Sequence, residues 1–188
     1  MKVSREQAAQ NRERILDAAA QLFRERGFDG IGLADLMKQA GLTHGGFYGH
    51  FSSKDDLIAQ ASARELTRSL AYWSNVAERA AGDPLSAVAD AYLTRSHRDN
   101  PGAGCVLAAL GPDVSRQGPA VRHVVTDYVR SVCDRLARLV PGKSKAARRQ
   151  KAISTYATLV GAMVLARAVD DRNLSLEILD AGRQSVKG

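Results

Sequence analysis

Hydrophobic positions recur at helical spacing along the whole chain, and nowhere do they alternate as a half-buried strand requires. Ile15, Leu16, Ala19, Leu22 and Phe23 mark one face of a helix near 6–27, which Arg26-Gly27-Phe28-Asp29-Gly30 ends. Leu33, Leu36, Met37 and Ala40 give a short helix near 32–40 its apolar face. Gly41 follows, where a positive φ costs nothing and suits a helix C-terminus. Leu42 is apolar within the turn, and Thr43 has the hydroxyl of a good N-cap. Phe47, Tyr48 and Phe51 would then pin a second short helix, 44–51, onto its neighbours. A longer helix is expected from Ser53 to about Ala80, with Leu57, Ile58, Leu66, Leu70 and Trp73 at buried positions. Ala81-Gly82-Asp83-Pro84 breaks it, with Pro suited to the first turn of the next helix. Further helices are expected at 84–98, 103–115, 119–140, 145–169 and 173–185, separated by Asn100-Pro101-Gly102, Gln117-Gly118-Pro119, Pro141-Gly142 and Asp171-Arg172-Asn173. The fold class is therefore all-α.

Two short helices joined by a tight turn near an N-terminus are how many proteins present a helix to the DNA major groove. The same spacing also describes an ordinary helical hairpin. The residue order separates the two readings. Ala40-Gly41-Leu42-Thr43, then Tyr48-Gly49-His50-Phe51, then Ser53-Lys54-Asp55-Asp56-Leu57 follow Arg12-Glu13-Arg14-Ile15-Leu16 and Ala19-Ala20-Gln21-Leu22-Phe23. In that order they resemble the TetR/AcrR family of bacterial transcriptional regulators over about residues 8–68.

The resemblance implies an N-terminal three-helix helix-turn-helix domain (1–52) that reads DNA. A long helix would join it to a helical effector-binding and dimerisation domain (53–188). It implies a DNA face made by Arg5, Arg12, Lys38, Thr43, His44, Gly45, Gly46, Phe47, Tyr48, His50 and Lys54. Two departures stand out. Gly32 occupies the N-cap usually held by Thr or Ser, an exchange that costs only a few tenths of a kcal/mol. His44, Gly46 and Gly49 stand where larger polar residues are common. Each glycine costs about 1 kcal/mol of helix stability relative to Ala. They leave few side chains to read bases, although they permit close approach of the backbone to sugar-phosphate.

Composition narrows the rest. Hydrophobic residues make up 45% of 188, enough for a sizeable core. No apolar run approaches the ~20 residues of a membrane span, and the first residues lack the apolar stretch of a secretory signal. Two cysteines 28 positions apart form no disulfide framework. The expectation is a cytoplasmic protein with no membrane partner. The net charge of +7 favours an anionic partner. Residues 1–64, however, hold nine Lys/Arg against eight acids, so any DNA argument rests on local placement. Lys2, Arg5 and Arg12 precede or lie on the first helix, and Lys54 opens the fourth. The cluster Lys143, Lys145, Arg148, Arg149 and Lys151 reads as a solvated loop and helix start. The histidines (44, 50, 97, 123) and cysteines show no metal-ligand spacing, and no nucleotide-binding or hydrolase motif is present. No enzymatic activity, metal or cofactor is expected.

In the second part, Ala152 to Leu165 is apolar over much of its circumference, which requires burial on more than one side. In the resembled family the last two helices form a four-helix contact between two copies. Tyr156, Leu159, Val160, Met163, Val164 and Ile178 are the corresponding dimerisation residues here; the plain alternative is a core helix of a monomer. A dimer sets two reading heads about 34–36 Å apart, matching successive major-groove faces of a palindromic operator. All four Phe lie in the first part, whereas Trp73, Tyr92, Tyr128 and Tyr156 lie in the second, where aromatics with a polar handle suit a mostly apolar effector pocket or simple helix packing. Cys105 follows a Pro-Gly break at a helix start, which lowers a thiol's pKa; some members of the resembled family sense electrophiles or oxidants through a cysteine in such a segment. A buried small hydrophobe is the alternative for Cys105. Cys133 reads as core. The functional expectation is a ligand-responsive repressor, a homodimer released from its operator by an unknown small-molecule effector. The alternatives are a Cys105-based sensor and an all-α ligand carrier that does not bind DNA.

Overall fold

The computed structural model describes residues 4–188; Lys2 lies outside them. Among the described residues there are α-helices and 3₁₀ turns and no strand. The helices are α1 (Arg5–Arg26), α2 (Leu33–Gln39), α3 (Lys54–Glu78), α4 (Pro84–Tyr92), α5 (Arg95–Asp99), α6 (Val106–Ser115), α7 (Pro119–Leu139), α8 (Lys145–Ala168) and α9 (Arg172–Lys187). The 3₁₀ turns are His44–Gly49 and Pro101–Ala103.

Helix starts follow side-chain chemistry. Ser53 Oγ accepts from the Asp56 N–H (3.0 Å), while Asp56 Oδ2 accepts from the Ser52 N–H (2.9 Å), so two otherwise free donors are satisfied reciprocally. Asp83 caps α4 with Pro84 next to it, and Asp171 caps α9. The turn after α2 is a Schellman motif: Gly41 has φ +69°, its N–H donates to Lys38 O, and the Leu42 N–H donates to Met37 O.

Three sequence expectations are corrected. The segment expected as a short helix over 44–51 is a 3₁₀ turn, and Thr43, though at its N-cap, makes no capping bond. Gly45, Gly46 and Gly49 each penalise an α-helix, and 3₁₀ geometry is commonly adopted in such short pieces. The helix expected over 84–98 divides at Leu93, whose ψ of 58° is not helical. There the Thr94 hydroxyl caps α5 by accepting from the His97 N–H (3.0 Å), and Arg183 donates to Leu93 O (2.9 Å). The segment 103–115 begins instead with the 3₁₀ turn, and its α-helix starts at Val106.

The N-terminal head is built on phenylalanine. Phe23, Phe28, Phe47 and Phe51 are all buried, with Phe23 edge-on to Phe28 at 5.3 Å and Phe47 stacked on Phe51 at 5.8 Å. The first turns of α3 contribute Leu57, Ile58 and Ala61 to the same continuous core, and α3 runs on to pack against α4 and α7. Four Arg side chains tie α3 or α1 to its neighbour: Arg64 reaches Glu13 (2.7 Å) and Asp17 (2.9 Å), Arg68 reaches Asp17 (3.0 Å), and Arg24 reaches Glu65 (2.8 Å), while Arg12 bonds Gln60. In the body, α8 packs between α7 and α9 and also contacts α6. Pro112 inside α6 cannot donate to Ala108 O. Arg167 of α8 donates to that carbonyl (3.2 Å) and to the Arg98 (3.0 Å) and His97 (2.6 Å) carbonyls, so one guanidinium joins α8, α6 and α5.

Candidate nucleic-acid interface and effector cavity

The turn region exposes Thr43, His44, Gly45, Gly46, Tyr48 and Gly49 on one continuous stretch of chain. Tyr48 is 68% exposed, while its neighbour Phe47 is fully buried and fixes the turn to the head. Lys38 on α2 and Arg5 on α1 are exposed, and His50 is half-buried. Three residues expected on the DNA face are engaged inside the head. Phe47 is core. Arg12 donates to His50 O and Gln60 Oε1 and lies 4.4 Å over the Phe51 ring, bracing the turn against α3. Lys54 Nζ donates to Ile31 O (3.0 Å), which leaves its remaining protons free but ties its position to the chain before α2. Sequence reasoning passed over Arg14, an exposed base on α1 whose guanidinium lies against Gly41 at the turn; only the tertiary packing brings those two together.

Of the five residues expected to bind a ligand, four line one cavity and Cys105 does not. A cavity of about 70 Å³ between α3, α4, α7 and α8 is lined by Trp73, Tyr92, Tyr128 and Tyr156, with Leu70, Ser74, Val88, Arg135, Leu136 and Leu159 among the rest. Trp73 lies 5.1 Å from Tyr92, and Tyr128 lies 6.5 Å from Tyr156. The Tyr128 hydroxyl hydrogen-bonds Ser69 Oγ at 3.1 Å. The Tyr92 and Tyr156 hydroxyls are buried and make no hydrogen bond. Burial raises the Tyr128 hydroxyl to about 12 and pushes those of Tyr92 and Tyr156 well above 10, so all three stay protonated at neutral pH.

Cys105 stands beside Tyr92 and lines not this cavity but a more open, polar cleft with Arg68, Tyr72, His97 and Asn100. It is 3% exposed, and its side chain caps nothing although it precedes α6. Its backbone N–H donates to His97 Nε2 (2.8 Å), and His97 Nδ1 in turn faces Tyr92 O at 2.7 Å. That pair of contacts fixes the tautomer: Nδ1 carries the proton and Nε2 accepts. Burial, with a smaller contribution from Arg167, lowers the His97 pKa from 6.5. Gly104 fits only as glycine, since a Cβ there would meet His97 Cδ2 at 2.6 Å.

The α8 surface divides into two faces. Tyr156, Leu159 and Met163, expected at a dimer contact, are buried in the chain's own core together with Ala152, Thr155 and Ala166. The opposite face carries Ile153 (49% exposed), Ala157, Val160, Gly161, Val164 and Leu165, next to Leu174 and Ile178 of α9. A Cβ on Gly161 would meet nothing within 4 Å, so that face is open at its middle. Val160, Val164 and Ile178 are half-buried at the edge of that face. The misplaced three reflect a helix apolar all round, whose inner and outer stripes sequence alone does not tell apart.

The family model described as "Bacterial regulatory proteins, tetR family" matches residues 15–61. HTH-type transcriptional regulator AcrR of Shigella flexneri is 34% identical over 90 residues, covering 44% of this chain and 39% of that protein. The chain spans between 26% and 39% of the length of the curated relatives it matches. Two solved structures share the fold nearly end to end. The reduced form of E. coli NemR has a TM-score of 0.79 at 24% identity and covers 95% of each chain. A TetR-family regulator from Agrobacterium tumefaciens has a TM-score of 0.79 at 21% identity, covering 95% of this chain and 98% of that one. Among the described residues no helix is long and apolar enough to cross a membrane.

Proposed function

We propose that this chain, which belongs to the TetR/AcrR family of transcriptional regulators, is an effector-controlled repressor that binds a palindromic operator as a homodimer. Residues 1–52 are the reader and 53–188 the effector and dimerisation unit. The observation that carries the reading is the turn itself. Its Phe47 is buried while Thr43, His44, Gly45, Gly46, Tyr48 and Gly49 face out, and this occurs within the segment that matches the family. The reading face is Arg5, Lys38, Thr43, His44, Gly45, Gly46 and Tyr48, with Arg14 added and with Arg12, Phe47 and Lys54 supporting it from within. With three glycines at the turn, backbone N–H groups and Tyr48 carry much of the contact, and phosphate contacts set register. The apolar outer face of α8 and α9 is the dimer surface, with Gly161 admitting a partner helix closely.

Control follows from how the head is fastened to the body. Arg24 Nε donates to Gly102 O (2.7 Å), a second Arg24 nitrogen donates to the same carbonyl, and the third binds Glu65. The 3₁₀ turn that holds Gly102 leads directly into Gly104 and Cys105, whose N–H donates to His97. A guest that moves Tyr92 or Trp73 therefore moves His97, the 101–105 segment and, through Arg24, α1. Only a guest that prefers one head arrangement over the other shifts the balance. Burial of Cys105, with no cationic side chain bonded to it, favours its reading as a small hydrophobe over a reactive thiol.

The test is binding of the purified protein to DNA upstream of its own gene, titrated against salt and scrambled competitor. The expected result is at least ~10³-fold preference that weakens as salt rises. Equal affinity for both DNAs would refute an operator-specific reader. No binding at low salt would favour an all-α ligand carrier.

A further inference from the structure

The charge of this chain is not spread evenly. Residues 134–151 hold seven Lys/Arg and one acid, Asp134, whereas the rest of the sequence holds 20 Lys/Arg against 19 acids. Nearly all of the net +7 therefore sits where the end of α7 meets the start of α8. Arg135, Arg138, Lys143, Lys145 and Arg148 are exposed there. Asp134 is taken by Arg149. Arg138, Lys145, Arg148 and Arg149 line one open groove between the two helices. The arrangement costs the fold stability, because like charges crowd one another. In addition, no acid stands in the first turn of α8 to offset cations at the end where the helix dipole disfavours them.

The patch is far from the reading turn. Helix α3 starts in the head and carries Ser74 about 30 Å along its axis from Lys54. There Ser74 Oγ accepts from Arg135 (2.6 Å), so the basic surface lies at the opposite pole of the molecule. We propose that this pole holds a second DNA duplex through its phosphates, without reading bases, so that one protein joins two DNA segments. The choice of partner rests on what the patch has and what it lacks. Cations spread over a loop and two helix ends match a repeating anion, and each one placed on a phosphate releases counterions. No large hydrophobic side chain in 134–151 is exposed. The patch thus offers neither an aromatic ring to stack an unpaired base nor an apolar face to enter a lipid surface. Charge alone suits the regular backbone of a duplex. The inference rests on the DNA-reading head for its regulatory meaning; contact at the pole does not depend on sequence.

The triple variant Arg138→Gln, Lys143→Gln, Lys145→Gln removes three exposed charges. In a titration of the full chain with a labelled random-sequence duplex, it is expected to bind at least ~10-fold more weakly than the parent at low salt. Its slope of log affinity against log salt should be shallower by about 2–3, since each phosphate contact contributes about 0.9. Its thermal midpoint should hold or rise. Parent protein loaded on a bead-bound duplex should capture a second, labelled duplex, and the triple variant at matched loading should not. Unchanged affinity and slope in the variant, or capture that survives in it, would overturn the inference. So would a variant that keeps its DNA affinity but loses binding to phosphatidylglycerol vesicles, which would assign the patch to a lipid surface. The two readings fail separately. A parent whose random-duplex affinity depends on these three residues but that shows no operator preference refutes only the operator reader; an operator reader unmoved by the triple change refutes only the second duplex site.

Discussion

Replacing Arg24 by Met cuts the fastening between head and body while keeping an unbranched apolar stem of similar reach. The Arg24 side chain is 8% exposed and donates to both Gly102 O and Glu65. Gly102 is buried, so its carbonyl is left without a partner, at a cost of about 1–3 kcal/mol. Glu65 is not stranded. It is 16% exposed and keeps Arg68 at 2.9 Å, so the ~3–5 kcal/mol of an orphaned buried charge does not apply in full. The expected loss is about 2–3 kcal/mol. It would appear as a lower urea midpoint at unchanged slope, and as a thermal midpoint lower by about 4–12 °C for a chain of this size. Operator affinity should stay within about threefold of the parent, because the reading face is untouched, while release by any effective ligand should weaken. A loss below ~0.5 kcal/mol together with an undiminished ligand response would refute the coupling through Gly102.

Three further outcomes are expected. His97 has a pKa lowered in the folded protein, so its contribution to stability is complete above the unfolded value near 6.5 and is lost as pH falls through the lower folded value. Urea midpoints should fall between pH 7.5 and 5.5 in the parent and fall less in His97→Gln; Asp56, Asp83 and Asp99, all held below 3.8, titrate outside that window. Gly45→Ala meets nothing within 4 Å and has no positive φ, so it should raise stability by up to about 1 kcal/mol. If backbone approaches phosphate there, the same change lowers operator affinity in a filter-binding titration. Val164→Glu puts a charge on the outer α8 face; sedimentation should show a monomer with an intact helical spectrum, and operator affinity should drop by at least ~10-fold.

Much of this protein is legible without coordinates. Local chemistry decides where helices start and stop: Ser53, Asp83 and Pro84 act through donors within a turn of themselves, and Gly41 acts through its own φ. The all-α class and the turn at residues 40–43 follow from such short-range effects. The family likeness over 8–68 is equally readable, because the residue order there is dense and local. What escaped the sequence depends on partners far along the chain. Nothing near Arg12 or Lys54 says that each is bonded inside the head, to His50 and Gln60 or to Ile31. Helix α8 is apolar on every side, so periodicity could not tell that Tyr156, Leu159 and Met163 face inward and Ile153 and Leu165 outward. The division of α4 from α5 needs Arg183, ninety positions away, to take the Leu93 carbonyl. The sequence by itself determined the all-α class, most helix starts and the family likeness over 8–68. Tertiary structure decided which polar groups are spent on the protein's own frame and which, like the hydroxyls of Tyr92 and Tyr156, are left without a partner, because burial and hydrogen-bond satisfaction are settled only when distant helices meet.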